Sequence, residues 1–138
     1  MIALTLPDPD RDHIYGSADG SIRLLEYGDY ECPFCGEAQP IIKEIQRRLG
    51  DDLLFAFRHF PLTNIHPHSK HAAEAAEAAG AQGNFWAMHD ILFENQDALE
   101  DESSRRMRPN SVSMRRAYFG KSRQAFTRNG FAKISKVG

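Results

Sequence analysis

The chemistry that this sequence offers is concentrated in its two cysteines, Cys32 and Cys35, which are separated by only two residues. A structural disulfide framework uses more cysteines at wider spacings, so a close pair is typical of catalytic thiols or of metal ligands. The species that attacks a disulfide is the thiolate and not the thiol. The sequence around the pair should therefore stabilise a negatively charged sulfur.

The cysteine pair lies where a loop is predicted to become a helix. Apolar residues follow it at helical spacing, and Gly50 can end the helix (Ile41, Ile42, Ile45 and Leu49). Cys32 should therefore lie at the helix N-terminus, where free backbone N–H groups and the helix dipole stabilise a thiolate. Pro33 suits the first helical turn because it lacks an N–H and its φ is fixed. Phe34 can contribute only shape and apolar cover.

Cys35 lies one turn further along, on the same side of the predicted helix. We therefore predict that Cys32 is the exposed nucleophile that forms a mixed disulfide, and that Cys35 is the more buried thiol that resolves it. The alternative is a zinc site, because six histidines are available, including His66, His68 and His71. The separation between Cys35 and His66 is longer than compact zinc modules use, so redox chemistry with no metal and no other cofactor is the favoured interpretation.

The remaining pattern predicts an α/β domain. The expected elements begin with a mostly buried strand at Ile22–Tyr27, a loop at Gly28–Glu31 and a second strand at Leu53–Phe60 that Pro61 ends. A helix at Ser69–Ala79 follows, and then a helix that Asn84 caps and that carries Phe85, Trp86, Met88, Ile91 and Leu92. A strand–helix–strand order followed by helices indicates a parallel strand pair with a helical addition. Residues 1–20 are expected to form an irregular arm.

The composition is that of an ordinary globular domain, with 41% hydrophobic residues, 26% charged residues and a net charge of −2. This balance favours neither nucleic acid nor an anionic membrane as a partner. No long apolar run suggests a membrane span, and the N-terminus lacks the pattern of a secretory signal. We therefore expect a cytoplasmic protein.

Four segments together resemble the DsbA-like proteins of the thioredoxin fold. Leu24–Cys35 matches that family's active-site strand and helix start. Arg58–Leu62 matches its second strand, His66–His68 the exit from that strand, and Phe85–Asp90 its inserted helical region. The resemblance spans about Asp12 to Glu102. It implies a thioredoxin-like fold with a helical insertion, and disulfide exchange with protein or small-molecule thiols and disulfides as the activity.

The resemblance also implies roles for two residues near the cysteines. Glu26 matches a family position for an acidic residue beneath the thiols, where it can relay a proton to or from Cys35; the alternative is a strand carboxylate that faces solvent. Pro40 matches a proline that should kink the active-site helix. His59, His66, His68 and His89 also fit family positions, and they are expected to cap or pack rather than to bind a metal or transfer protons. The cluster of Phe85, Trp86 and Met88 is expected to be core.

The chain departs from this family after residue 102. The family's later strands and its cis-proline are not recognisable, so we expect an unpaired sheet edge and an uncovered face in residues 21–102, which hold the thioredoxin-like half and the start of the insertion. Residues 103–138 are basic and contain no acidic residue. We interpret them as a frameshifted translation, expected to pack loosely, because a shifted reading of Arg106–Met114 and of Gly130–Gly138 permits family-like helical sequences. A basic nucleic-acid tail is the alternative.

Three functional hypotheses follow from the sequence. The first is a thiol–disulfide oxidoreductase that uses Cys32 and Cys35. The second is a zinc-binding module, and the third is a catalytically impaired remnant with a reactive thiol. The direction of the reaction, the substrate and the oligomeric state are left open.

Overall fold

A computed structural model describes residues 5–99 of the chain. These residues form three strands and three helices. The elements in chain order are β1 (His13–Gly16), β2 (Ile22–Gly28), α1 (Pro33–Leu49), β3 (Leu53–His59), α2 (Ser69–Gly80) and α3 (Phe85–Glu94). Short 3-10 turns at Gly50–Asp52 and Gln96–Ala98 precede β3 and follow α3.

The sheet has β3 in the centre, with β2 parallel on one side and β1 antiparallel on the other. The predicted parallel pair is confirmed, and α1 is the crossover helix between its two strands, as a parallel connection requires. The strand β1 is a correction, because it lies inside the segment that we expected to be irregular. It pairs along its whole length with β3, from His13 opposite Phe57 to Gly16 opposite Leu54.

The core lies where the helices cover one face of β3. Alternate side chains of this strand, Leu53, Phe55 and Phe57, are almost fully buried and belong to one apolar cluster. The helices contribute a row of small alanines on α2 and larger side chains on α3 (Ala72, Ala76, Ala79, Phe85, Met88 and Leu92). The predicted core role of Phe85 and Met88 is confirmed.

The helix α1 has the predicted start and stop. It begins at Pro33 and is followed by Gly50, whose φ of 50° is a conformation that glycine adopts without strain. Fewer of its apolar residues are buried than the periodicity suggested, because Ile42 is buried whereas Ile41 is 64% exposed. Pro40 lies inside the helix, as expected.

The strand β2 is less buried than we predicted. Its residues are exposed or half-buried except for Gly28, and among residues 5–99 it pairs with β3 alone. The expected unpaired edge is therefore present in the described part of the chain. The expected uncovered face is not found at β3, because Leu54 and Ala56, which alternate with the core residues, are also buried. Residues 103–138, and with them the frameshift interpretation, lie outside the described residues.

The helix α2 begins at the predicted residue and ends one residue later than predicted, and α3 begins directly after Asn84, as predicted. Asn84 occupies the predicted cap position of α3, but its side chain donates to the Gln82 carbonyl oxygen instead of accepting a helix N–H. Among the described residues, none of the helices combines the length and the apolar character that crossing a membrane would require.

Candidate active site

Cys32 lies at the N-terminus of α1, as predicted. It is the N-cap residue, with extended backbone angles, and Pro33 is the first helical residue. The backbone N–H of Cys32 donates to the Asp29 carbonyl oxygen at 3.1 Å, and the Cys32 carbonyl oxygen accepts from the N–H of Gly36 at 3.1 Å. The backbone on both sides of the thiol is therefore fixed, and the unpaired amides of the first helical turn lie beside the sulfur.

The two thiols are close enough to form a hydrogen bond, and both are partly buried. Burial, aided by the hydrogen bond with Cys32, raises the pKa of the Cys35 thiol to about 11. Cys35 is therefore protonated at neutral pH, as a thiol that waits to resolve a mixed disulfide would be. A base must accept its proton before it can attack.

Glu26 has the properties that a base for Cys35 needs. Burial raises the pKa of its carboxyl group to about 7, although a hydrogen bond from Gln39 opposes this shift. Its Oε2 atom is buried and has no hydrogen-bond partner in the described structure. The negative charge of Glu26 contributes to the raised pKa of Cys35, so the two side chains are electrostatically coupled. The carboxylate is therefore half-buried near the thiol and does not simply face solvent.

A line of polar side chains runs from Glu26 into the core. Gln39 donates from Nε2 to Glu26 Oε1 and to the Cys35 carbonyl oxygen, both at 3.4 Å. Gln39 Oε1 lies 3.3 Å from His89 Nε2, and His89 Nδ1 lies 3.1 Å from the hydroxyl of Tyr30. One arrangement satisfies the contacts of Gln39, His89 and the Tyr30 hydroxyl, with Nε2 of His89 protonated and Nδ1 accepting from Tyr30. His89 thus packs in the core, as expected of this histidine.

Gln96 is a residue of the site that sequence reasoning missed. Its side-chain amide donates to the carbonyl oxygens of Tyr30 at 2.8 Å and of Cys32 at 2.9 Å. Gly36 makes this contact possible, because a Cβ atom at that position would collide with the Gln96 side chain. A single glutamine more than 60 residues away in sequence therefore holds the loop that carries the nucleophile.

Asp29 is a second residue that the sequence did not reveal. This buried carboxylate accepts hydrogen bonds from the backbone N–H groups of Glu31 and Leu62 and from Nδ1 of His66, each at 2.8 Å. Glu31 in turn accepts from the backbone N–H of His68 at 2.7 Å. The active-site loop is thus attached to the connection between β3 and α2. The expectation that His66 has a structural role is consistent with these contacts.

Apolar side chains are exposed beside the cysteines. Phe34, between the two cysteines, is 78% exposed, and Phe60 is 56% exposed on the connection that leaves β3. The N–H of Phe60 donates to the carbonyl oxygen of Gly28 at 2.8 Å, which places this connection against the start of the active-site loop. Leu62 and Ile65, on the same connection, are also exposed. Exposed apolar side chains therefore lie between the two cysteines and on the connection that borders the active-site loop.

The structure thus brings Cys32, Cys35, Pro33, Phe34 and Glu26 together at one end of β2 and α1. It does not bring the cysteines together with the histidines proposed for the zinc alternative. Within residues 5–99, one group of three side chains is close enough to share a metal ion, and neither cysteine belongs to it.

Comparisons with known proteins agree with this geometry. A family model described as thioredoxin matches residues 8–134 of the chain. The matched range includes most of the segment that we interpret as frameshifted, and that interpretation stays a prediction.

The curated relatives of this chain are named as antiporters and not as thioredoxins. A Na⁺/H⁺ antiporter NhaA 1 of Mycobacterium sp. (strain KMS) is 56% identical over 93 residues, which are 67% of this chain and 15% of the antiporter. A similarly named protein of Salinispora arenicola is 48% identical over 100 residues, which are 72% of this chain and 15% of that protein. The chain therefore spans about 15% of the length of these relatives.

Solved structures with similar folds are thioredoxin-like or named after DsbA and its relatives. BdbD from Bacillus subtilis is 30% identical with a TM-score of 0.58, and the match covers 66% of this chain and 51% of BdbD. DsbA2 from Pseudomonas aeruginosa is 31% identical with a TM-score of 0.53, covering 66% of this chain and 50% of DsbA2. A periplasmic thioredoxin-like protein from Salmonella enterica serovar Typhimurium shares the fold at 22% identity, with a TM-score of 0.61, over 69% of this chain and 54% of that protein. The chain therefore spans about half the length of these structures. It belongs to the thioredoxin family, and the solved structures that it resembles include DsbA-like proteins.

Proposed function

We propose that this protein is a thiol–disulfide oxidoreductase that exchanges disulfides with protein thiols through Cys32 and Cys35. The observation that carries the proposal is the geometry of the pair. Cys32 lies at a helix N-terminus, and Cys35 lies one turn later with a partly buried, protonated thiol beside a carboxyl group whose pKa is raised to about 7. The likeness to DsbA-like structures supports the same activity.

The reaction proceeds in two exchanges. The Cys32 thiolate attacks one sulfur of a substrate disulfide, forms a mixed disulfide and releases the other substrate sulfur as a thiolate. Cys35 then loses its proton to Glu26 and attacks the sulfur of Cys32, which releases the second substrate thiolate and leaves a Cys32–Cys35 disulfide. Two electrons pass from the dithiol to the substrate, and the reverse sequence oxidises a substrate dithiol.

The exposed apolar surface fits a protein substrate. Phe34 and Phe60 offer side chains on which an unfolded or extended polypeptide can pack near the thiols. The backbone of the active-site loop, in contrast, is fixed by Gln96 and Asp29, so the nucleophile keeps its position while the substrate adapts.

Insulin reduction in the presence of a dithiol tests the activity. We expect turnover by the native sequence, none by Cys32→Ser, and accumulation of a mixed disulfide by Cys35→Ser. Glu26→Gln should slow the resolving step about tenfold or more, because general bases contribute about 10²–10⁴-fold. Glu37→Gln, at an exposed position of the same helix, is the matched control and should leave the rate unchanged.

Two results would reject the proposal. Full thiol reactivity of Cys32 without any insulin turnover would identify the impaired remnant. Stoichiometric zinc that is lost when either cysteine is replaced by serine would identify the zinc module instead.

The antiporter names concern much longer proteins. We infer that the segment shared with this chain is a thioredoxin-like domain within them, because residues 8–134 of this chain match the thioredoxin family model. Ion transport is not part of our proposal for this chain. The cytoplasmic location stays a prediction, which fractionation of the natural host would test.

A further inference from the structure

Three side chains from three different elements converge away from the thiol pair. His13 lies on β1, His59 at the end of β3 and Glu77 on α2. Nε2 of each histidine lies 2.7 Å from the same oxygen, Oε1 of Glu77. One ligand atom from each residue lies within 4.8 Å of the other two.

The two imidazole rings are held in place by packing. The ring of His13 stacks on Phe85, with centroids 3.5 Å apart and planes 4° from parallel. The ring of His59 contacts Phe57 and Tyr30, with centroids 5.4 Å and 5.7 Å away. Their orientation is therefore set by the core and does not depend on the carboxylate alone.

The ring of His59 has one hydrogen-bonded nitrogen atom in the described structure, and that atom belongs to this cluster. Its Nδ1 atom is buried and has no hydrogen-bond partner in the described structure, whereas Nε2 faces Glu77. The Glu77 side chain is 52% exposed, so the cluster is open to solvent on that side. An ion can therefore enter without unfolding of the core.

We propose that His13, His59 and Glu77 bind one divalent transition-metal ion of the zinc class. Two imidazole nitrogens and one carboxylate oxygen are a donor set that zinc uses, with water in the fourth position. Ligand atoms around a tetrahedral zinc ion lie about 3.3 Å apart, given bond lengths of about 2.0–2.2 Å. Each Nε2–Oε1 distance of 2.7 Å would therefore lengthen by about 0.6 Å, a movement that the exposed Glu77 side chain can supply. The two histidine nitrogens, at most 4.8 Å apart, would approach by about 1.5 Å at most.

The ion would join β1 and α2 to the central strand. Binding would replace the two hydrogen bonds to Glu77 with three metal bonds, with Nε2 of each histidine as the ligand atom. A ligand that binds only the folded state raises stability in proportion to the logarithm of its concentration above its dissociation constant. The proposal does not depend on the disulfide chemistry.

The test must separate this site from the cysteines, because a dithiol also binds zinc. The full chain carrying Cys32→Ser and Cys35→Ser is titrated with Zn²⁺ by calorimetry and with Co²⁺ by visible absorption. We expect one ion per chain, a cobalt spectrum without thiolate bands, and a melting temperature that rises with Zn²⁺ concentration. His13→Gln or Glu77→Gln in this background should weaken binding at least tenfold, whereas Glu74→Gln, at an exposed position on the same helix, should not.

Two outcomes would overturn the proposal. The first is the absence of Co²⁺ and Zn²⁺ binding by the cysteine-free chain, a measurement that leaves the three proposed ligands unaltered. The second is binding that is equally strong in the Glu77→Gln and Glu74→Gln variants. Circular dichroism in EDTA checks that each variant is folded.

Discussion

At the scale of single residues, Cys35 and Glu26 have complementary properties. Burial raises the pKa of the Cys35 thiol to about 11 and that of the Glu26 carboxyl group to about 7. A carboxyl group with that pKa is partly ionised at neutral pH, so it can accept a proton there and also return one. The same burial that keeps the thiol protonated therefore creates the base that can deprotonate it.

Replacing Gln96 tests how far the stability of the active-site loop depends on the hydrogen bonds that this side chain donates. Gln96→Ala removes the donors to the carbonyl oxygens of Tyr30 and Cys32. We expect the free energy of unfolding to fall by about 1–2 kcal/mol, because two partly buried hydrogen bonds are lost. Amide exchange in residues 29–32 should accelerate. Urea unfolding and hydrogen exchange measure the two effects.

Two further variants control this experiment. Gln82→Ala removes an exposed contact to a carbonyl oxygen of the preceding helix, α2, and should cost less than about 0.5 kcal/mol. Gly36→Ala should displace the Gln96 side chain, so its cost should not add to that of Gln96→Ala. Additive costs for the two variants would contradict the proposed support.

At the scale of elements, β3 lies at the centre of the core. Phe57 is 1% exposed and contacts the rings of Tyr30, Phe85 and His89, which belong to the active-site loop and to α3. Phe57→Leu should lower the free energy of unfolding by about 1–2 kcal/mol, because a large buried side chain is shortened and the surrounding rings relax only partly. Phe60→Leu, at an exposed position just after the same strand, should change it by less than about 0.5 kcal/mol. Equal effects in urea unfolding would show that β3 does not centre the core.

Periodicity and composition predicted the elements that bury a regular apolar face. The strand β3 and the three helices bury apolar side chains, and the bounds of β3 and the starts of the helices lie within one residue of the predicted ones. The strand β2 was predicted from its apolar composition, although its residues other than Gly28 are exposed or half-buried. The strand β1 was missed because its four residues have no strand-like alternation and end at Gly16. Its structure arises from pairing with β3, which is a tertiary effect that local propensity does not contain.

The residues of the candidate site likewise fall into those that local sequence could predict and those that only the tertiary structure reveals. Cys32, Cys35 and Pro33 were identifiable because their chemistry depends on neighbours in sequence. The supporting contacts of Gln96 and Asp29 were not, since they join segments that are distant along the chain. The grouping of His13 with His59 and Glu77 likewise requires the sheet order and the position of α2, neither of which the sequence pattern provides.

At the scale of the whole molecule, two buried groups act on stability with opposite signs. Burial raises the pKa of Glu26 from 4.5 to about 7. Ionisation of this carboxyl group therefore destabilises the folded state, an effect that is absent below pH 4.5 and grows as the pH rises to 7. Burial lowers the pKa of His89 from 6.5 to about 3, so stability present above pH 6.5 is lost as the pH falls to 3. Between pH 4.5 and 6.5 the two slopes oppose each other.

The free energy of unfolding should therefore change less between pH 4.5 and 6.5 than below pH 4.5, where it should fall steeply. Burial also lowers the pKa of His59, so this histidine adds to the loss as the pH falls below 6.5. Below pH 4.5 the Glu26 slope is absent and the His89 slope remains, at up to about 1.4 kcal/mol per pH unit. Asp12 adds to the loss, because its hydrogen bond from Arg58 lowers the pKa of this carboxyl group from 3.8 to about 2. Urea unfolding in EDTA at several pH values measures the profile.

The variant His89→Gln separates the two contributions. It removes the histidine slope and leaves that of Glu26, so stability should now decrease from pH 4.5 to 7, by about 1–2 kcal/mol after allowance for the partial exposure of the carboxyl group. The double variant with Glu26→Gln should remove the decrease that the carboxyl group causes, because this group then no longer titrates. If His89→Gln and the double variant have the same profile between pH 4.5 and 7, the carboxyl group of Glu26 is not held neutral by burial, and it would not be the base that Cys35 requires.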